Sequence, residues 1–345
     1  MSNKKRKISI NDVAKRAGVS ITTVSRVINK VPTVTAANQR KVEQAVAELH
    51  YEPDANAQRL ARGTNNAVGF VIPGYPGIFY SYYAVELIRG VGHACEEVQM
   101  DLIFHITNGF NDLNTGSVGG VIFADIIENR RQIDNALKVG LPCMVINNIV
   151  DDFDVNYIGI DNYRGGEIVA EYLMSLGHRH IATITGSLKT QSGDQRLKGF
   201  KHFLERHNLP LDNHYIVEGD YSRRSAREGM ERLLSLEHRE PPTAVFVASD
   251  DMAMEAIAVM TEKGLQAPDD ISVIGFDDNP SALYGPVGLT TIRQPLFQMA
   301  EQAVRRLYDV MQGREKGLVR QILEPELVIR DSCAPFSSRD FHGDG

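Results

Sequence analysis

The apolar positions of this chain change period near residue 64, and the change separates two kinds of structure. Before it they recur at helical spacing over short runs. Val13, Ala14 and Ala17 form one stripe, and Gly18 suits the left-handed turn that ends a helix. Ser20 can cap a second run, Ile21 to Asn29, in which Val24, Val27 and Ile28 share a side. A third run follows Thr35, with Val42, Ala45, Val46 and Leu49 on one face. The spacing predicts three short helices over residues 1–52. The first two are joined by a Gly-containing turn, as in a helix-turn-helix, although ordinary helical hairpins show the same spacing.

After residue 64 the apolar residues cluster in short β-rich runs bounded by Gly, Pro or Asp: AVGFVIP, DLIFHI, GGVIFAD, CMVIN and YIGID, then HIATITG, YIVEGD, TAVFVASD and ISVIGFDD, then LTTIRQP. Helical segments such as YYAVELIRGVGHACEEV and RRSAREGMERLLSL lie between most of them. Continuous apolar strands alternating with helices predict parallel sheets with crossover helices. Two such series imply an α/β body of two doubly wound parallel-sheet subdomains, divided near residues 161–164. In such folds ligands sit beyond the carboxyl ends of the strands, here in the crevice between the halves.

Between head and body, Pro53 breaks the chain, Asp54 can cap a helix over ANAQRLAR, and Gly63 can end it. About eight residues do not hold a helix alone in water. Leu60 has no core to join, so the segment is either a fraying linker or a helix that forms by pairing with a second copy on DNA, its leucines wedged into a minor-groove step.

Charge divides the chain at the same place. Residues 1–63 hold 12 Lys and Arg against 5 Asp and Glu, a net +7 within a chain of −7, so the remainder carries −14. A basic head on an acidic body points to a polyanion partner for the head. Thr22, Thr23, Ser25, Arg26 and Asn29 occupy the polar side of the second helix and suit bases or phosphates. Hydrophobic content of 43% fits a globular chain, and no run of 18 apolar residues marks a membrane span. The N-terminus lacks the apolar region of a signal peptide. Three scattered cysteines argue against a disulfide framework or a metal site and for a reducing, cytoplasmic setting.

The run INDVAKRAGVSITTVSRVINKVPTVTAANQRKVEQAVAELHYEPDANAQRLARG resembles the head and hinge of the lactose/galactose repressor (LacI/GalR) family. The resemblance is dense over AGVS, TVSRVIN, the V-A-E-L-H-Y run and the A-x-x-L hinge. It implies a helix-turn-helix DNA-binding domain over residues 1–52, a hinge helix and linker over 53–64, and an effector-binding and dimerisation domain over 65–345 of periplasmic-binding-protein-like fold. It further implies that the chain returns to the first half after Ile292 and touches the second near Leu327. The first half would then span about 65–161 and 292–322, the second about 162–291 and 323–332, and a tail 333–345. Ile21 and Thr22 would read bases, with Thr23, Ser25, Arg26 and Asn29 on phosphates or bases. Leu60 would intercalate, with Asn56, Ala57 and Arg59 beside it in the minor groove. The partners implied are a pseudo-palindromic operator in double-stranded DNA, a small-molecule effector and a second copy of the chain.

For the effector, the resemblance points first to Arg196 in GDQRLKGF and Asp277 in GFDDNPSAL. An arginine forks onto oxygens and a carboxylate accepts from hydroxyls. The pair suits a neutral polyol, a sugar, better than an anion that the carboxylate would repel. Asn147 and Ser249 occupy comparable strand ends, and Tyr75, Phe79, Tyr80 and Tyr221 could cover an apolar ligand face. Whether the ligand induces or corepresses is open at this level, and a purine or sugar phosphate remains the alternative.

One stretch departs from the family pattern. Only Thr107 to Val118 joins two successive strands where family members carry a longer connection with a crossover helix. Twelve residues are the lower limit for a parallel crossover. The tail lacks a leucine heptad, so a homodimer is expected rather than a tetramer. No G-x-S-x-G, H-E-x-x-H or G-x-x-x-x-G-K-[ST] is present, and RGVGHA lies inside a helical run. The expectation is a regulator without enzymatic activity, cofactor or metal; a transport binding protein would need a signal peptide and no basic head.

Overall fold

The computed structural model describes residues 8–28, 33–49, 51, 66–74, 78–108, 111–124, 129–236 and 240–337. The chain forms two compact units, Met1–Asn66 and Ala67–Gly345.

The head contains α1 (Ile10–Ala17), α2 (Ile21–Ile28) and α3 (Ala36–Leu49). Ser9 and Asp12 start α1 as a reciprocal capping box: the Ser9 hydroxyl accepts the Asp12 N–H, and the Asp12 carboxylate accepts the Ser9 N–H at 2.9 Å. Gly18 ends the helix at φ 65°, its N–H donating to the Ala14 carbonyl. The Ser20 hydroxyl accepts the Thr23 N–H at 3.1 Å and opens α2. Val13, Ala14, Ala17, Val24, Val42 and Ala45 are the buried core, with Val27, Ile28, Val46 and Leu49 packed around it. The three predicted stripes therefore face one another.

The body begins with β1 (Ala67–Pro73), α4 (Tyr82–Glu97), β2 (Asp101–Thr107), β3 (Gly120–Phe123), α5 (Arg130–Lys138), β4 (Cys143–Ile146) and β5 (Asn156–Ile160). A second series follows: α6 (Asn162–Ser175), β6 (Ile181–Ile184), α7 (Gln191–Arg206), β7 (Ile216–Val217), α8 (Arg223–Leu234), β8 (Ala244–Val247), α9 (Asp250–Glu262) and β9 (Ser272–Ile274). The chain then runs through β10 (Thr291–Arg293), α10 (Leu296–Met311), β11 (Arg320–Leu323) and β12 (Glu326–Val328).

The first half is a parallel sheet in the order β11-β5-β4-β3-β1-β2, and the second a parallel sheet in the order β7-β6-β8-β9. Strands β1, β3, β4 and β5 are buried along their whole length, which is why they read as unbroken apolar runs. Antiparallel β10 and β12 carry the return, pairing Ile292 with Leu327. The chain thus passes between the halves three times: after β5, after β10 and after β11.

Two glycines set how tightly the second half packs. A Cβ on Gly166 would lie 2.1 Å from the Arg196 carbonyl oxygen, and one on Gly199 would lie 1.9 Å from that of Tyr163. Only glycine lets α6 and α7 approach this closely. The short connection after β2 holds a single 3-10 turn, Thr115–Ser117, and no α-helix among its described residues. It is tied down on α5, where Arg131 and Asn135 donate to Asp112 at 3.2 and 3.0 Å.

Candidate DNA and effector sites

On the head, the packing that buries Val24 turns the opposite face of α2 outward. Ile21 is 49% exposed, Thr22 and Arg26 are exposed, and Thr23 and Ser25 are half-buried. An isoleucine this exposed at the first turn of a helix contributes little to the head's own core. Asn29 and the hinge residues Asn56, Ala57, Arg59 and Leu60 lie outside the described residues, as does Tyr75.

In the body, the site grows from Arg196 on α7. Its side chain is buried, donating from Nε to Asn162 Oδ1 at 2.8 Å and from Nη1 to the Ala248 carbonyl at 2.7 Å. The guanidinium lies over the Phe276 ring, 3.6 Å from its centroid. These contacts aim a cation at the carboxyl ends of β8 and β9. Asp277 follows β9 there, with its backbone at φ 131° and its carboxylate accepting from the Gln294 amide. Ser249 caps α9, its hydroxyl accepting the Met252 N–H at 3.4 Å. Beside it, Asp250 accepts from Thr291 Oγ1 at 2.6 Å and from the Asn279 N–H at 2.7 Å.

Burial drives the Asp277 carboxyl well above the ordinary carboxylate range, with Arg196 pulling it back. Burial raises Asp250 also, against the Thr291 hydroxyl. Asp278 differs: burial opposes its ionisation, but Arg330 and Arg293 hold it below the usual range. Two more buried atoms complete the polar inventory. Asn147, directly after β4 at φ 64°, and Gln294, directly after β10, each keep a buried side-chain carbonyl oxygen with no hydrogen-bond partner. Tyr221, at φ 69°, lays its ring where a Cβ on Gly186 would stand, and its hydroxyl pairs with Ser192 Oγ at 3.0 Å.

Residues 9–54 match the family described as bacterial regulatory proteins, lacI family, and residues 170–333 match a periplasmic binding protein-like domain. The transcriptional regulator DegA of Bacillus subtilis is 32% identical over 343 residues, covering 96% of this chain and 100% of DegA. The chain belongs to the LacI family. It is a DNA-binding transcriptional regulator with an effector-binding body. The repressor PurR of Yersinia pestis is 33% identical, with 96% of this chain and 99% of PurR covered. The Lac repressor dimer bound to operator and the anti-inducer ONPF superimposes with a TM-score of 0.81 at 28% identity, over 95% of this chain and 100% of that one. The regulator CelR in complex with cellobiose gives 0.70 at 29% identity, over 94% and 99%. Among the described residues no helix is long and apolar enough to cross a membrane.

For this LacI-family chain, the structure gathers Arg196, Ser249, Asp277 and Tyr221 about the carboxyl ends of the second sheet, and Asn147 at the end of β4 in the first. Phe79 and Tyr80 do not join them. The turn after β1 sends Ile78 inward, so Phe79 packs on Phe104 of β2 with ring centroids 5.9 Å apart, and Tyr80 is 92% exposed. Tyr82, at the start of α4, is partly buried against the core of the first half; burial raises its hydroxyl, with Glu86 and then Asp277 adding to the effect. Sequence reading also missed Asn162, Gln191, Phe276 and Gln294. Asn162, Phe276 and Gln294 stand next to strand ends, which is a usable signal; Gln191, the first residue of α7, carries none.

Proposed function

We propose that the protein is a homodimeric repressor whose hold on a pseudo-palindromic operator is set by a neutral, hydroxyl-rich effector, a sugar, in the crevice of its body. The carrying observation is the polar inventory around Arg196. Asp277, Asn147 and Gln294 are buried polar side chains beside strand ends, Asn147 Oδ1 and Gln294 Oε1 without a hydrogen-bond partner, and the single arginine already spends two of its nitrogens on the protein. Such a set suits a ligand rich in hydroxyls, which both donate and accept hydrogen bonds. Tyr221 and Tyr82 offer apolar cover for a sugar ring. The cellobiose complex of CelR supports the same class.

In this reading Ile21 and Thr22 meet base edges in the major groove, and Thr23, Ser25, Arg26 and Asn29 hold phosphates or bases. Leu60 wedges into the minor groove with Asn56, Ala57 and Arg59 beside it. The half-exposed Ile106, Leu283 and Phe79 and the exposed Tyr284 supply apolar surface for a second copy. A protein that holds the operator works in the cytoplasm, where the DNA lies.

The test is thermal stabilisation by a panel of sugars, sugar phosphates and purines, followed by operator binding with each hit. A ligand at a thousand times its Kd adds about 4 kcal/mol. A sugar that stabilises the protein and releases the operator supports the reading; stabilisation by anions or purines alone overturns it. Leu60→Ala should weaken specific operator binding and spare random DNA, whereas equal loss on both would remove the hinge from the mechanism.

A further inference from the structure

One pair of hydrogen bonds outside the effector pocket joins the two halves directly. Ile149 follows β4 in the first half, and Gln191 is the first residue of α7 in the second. The Gln191 side-chain carbonyl accepts the Ile149 N–H at 2.8 Å, and its amide donates to the Ile149 carbonyl at 2.8 Å. One side chain therefore makes both bonds that a neighbouring strand would make to that residue.

Each end of this pair is fixed to its own half. Val150 is buried, and a Cβ on Gly159 of β5 would come within 3.1 Å of the Asn148 carbonyl oxygen and 3.3 Å of the Ile149 side chain, so residues 148–150 lie tightly against that strand. Thr190 caps α7: its hydroxyl accepts the Gly193 N–H at 3.2 Å and donates to the Ser187 carbonyl at 2.7 Å. With both ends held, the pair breaks when the halves separate and forms when they meet. Both residues lie beyond carboxyl ends of strands, on the crevice side. The three chain crossings tie the halves at other points, where Asp161 N–H donates to the Leu323 carbonyl and Arg293 pairs with Asp278 and Glu326.

We infer that Gln191 is a latch: its amide, clasped to the peptide groups of Ile149, holds the body closed across the crevice before any effector enters. Two hydrogen bonds of ordinary net strength shift the closed-to-open ratio roughly 30-fold. An effector then acts on a body that is already biased toward closure, and Gln191 sets that bias without belonging to the polar inventory around Arg196.

The test needs no effector. Spin labels go on the full-length protein at two exposed helix positions, Asp134→Cys in the first half and Glu205→Cys in the second, in a Cys333→Ser background; Cys95 and Cys143 are buried. With the labelled chain assembled with an excess of unlabelled chain, so that a dimer carries one labelled copy, pulsed dipolar spectroscopy should give one narrow distance for the parent. Gln191→Ala, and the isosteric Gln191→Glu that turns a carboxylate on the Ile149 carbonyl, should each add a longer, broader population of at least several-fold greater weight. Unchanged thermal unfolding of the variants separates opening from damage, and the Glu variant serves if the Ala variant folds poorly. Hydrogen exchange gives a second reading: the Ile149 amide should lose protection while β4 keeps its own. Variant distances that superimpose on the parent, or a parent already broad, overturn the latch.

Discussion

In the head, the described residues proposed to meet DNA, Ile21, Thr22, Thr23, Ser25 and Arg26, lie on one eight-residue helix, stand half-exposed or exposed, and sit within six positions of one another. In the body the candidate residues Tyr82, Asn147, Arg196, Tyr221, Ser249, Asp277 and Gln294 come from seven segments, and Arg196, Asp277, Asn147 and Gln294 are all buried. The two surfaces answer different partners. DNA is a large polyanion met from outside, so a projecting helix with a few donors suffices and costs the fold little. A small molecule must be surrounded, so the donors and acceptors that meet it are desolvated in advance and held by other buried groups. The body's site is therefore built into its stability, and the head's site is not.

Substitutions measure that difference. The largest effect is expected where the scaffold of the body's site is tightest. Gly199→Ala drives a methyl into the Tyr163 carbonyl, 1.9 Å away, and should cost about 3 kcal/mol, the upper end for overpacking. Urea unfolding with an unchanged slope is the check, and a cost under about 1 kcal/mol would mean that α6 and α7 separate freely. Arg196→Met keeps the bulk but strips donors from Asn162 and the Ala248 carbonyl; about 2 kcal/mol should be lost together with the effector response. A variant of full stability would place Arg196 with the head's residues, as a binding group that the fold does not need.

Asp277→Asn tests the electrostatic side of the comparison. In the folded protein the Asp277 pKa lies above its unfolded value, so the native state keeps a proton that the unfolded chain has released. Stability from this group is complete below the unfolded pKa and is lost as pH rises through the folded one. Urea unfolding at a series of pH values should therefore show the parent weakening as pH rises, with a flatter profile for the Asn variant. Equal profiles would mean that Arg196 keeps the carboxylate ionised throughout. The smallest stability change belongs to the head: Arg26→Ala should stay within about 0.5 kcal/mol of the parent in unfolding. Its effect should appear as a drop of about one in the salt slope of DNA binding.

The sequence by itself determined what is encoded within one helix or one strand. Ser9, Gly18 and Ser20 stop and start helices through hydrogen bonds to residues three or four positions away. The apolar runs of β1 and β3 to β5 announced strands buried on both faces. The unusual connection after β2 was visible as twelve residues, rich in Gly, Asn and Thr and at the lower limit for a parallel crossover. Arg196 and Asp277 were legible through the family resemblance of GDQRLKGF and GFDDNPSAL. Tertiary structure decided which segments converge. Phe79 and Tyr82 are two aromatics three positions apart after the same strand, and the turn between them leaves one on Phe104 of β2 and the other partly buried against the first half's core. Gln191 and Gln294 are neutral amides whose partners lie 42 and 17 positions away. No local pattern records such pairings, because they arise from the packing of whole sheets and helices and not from the preference of any short stretch.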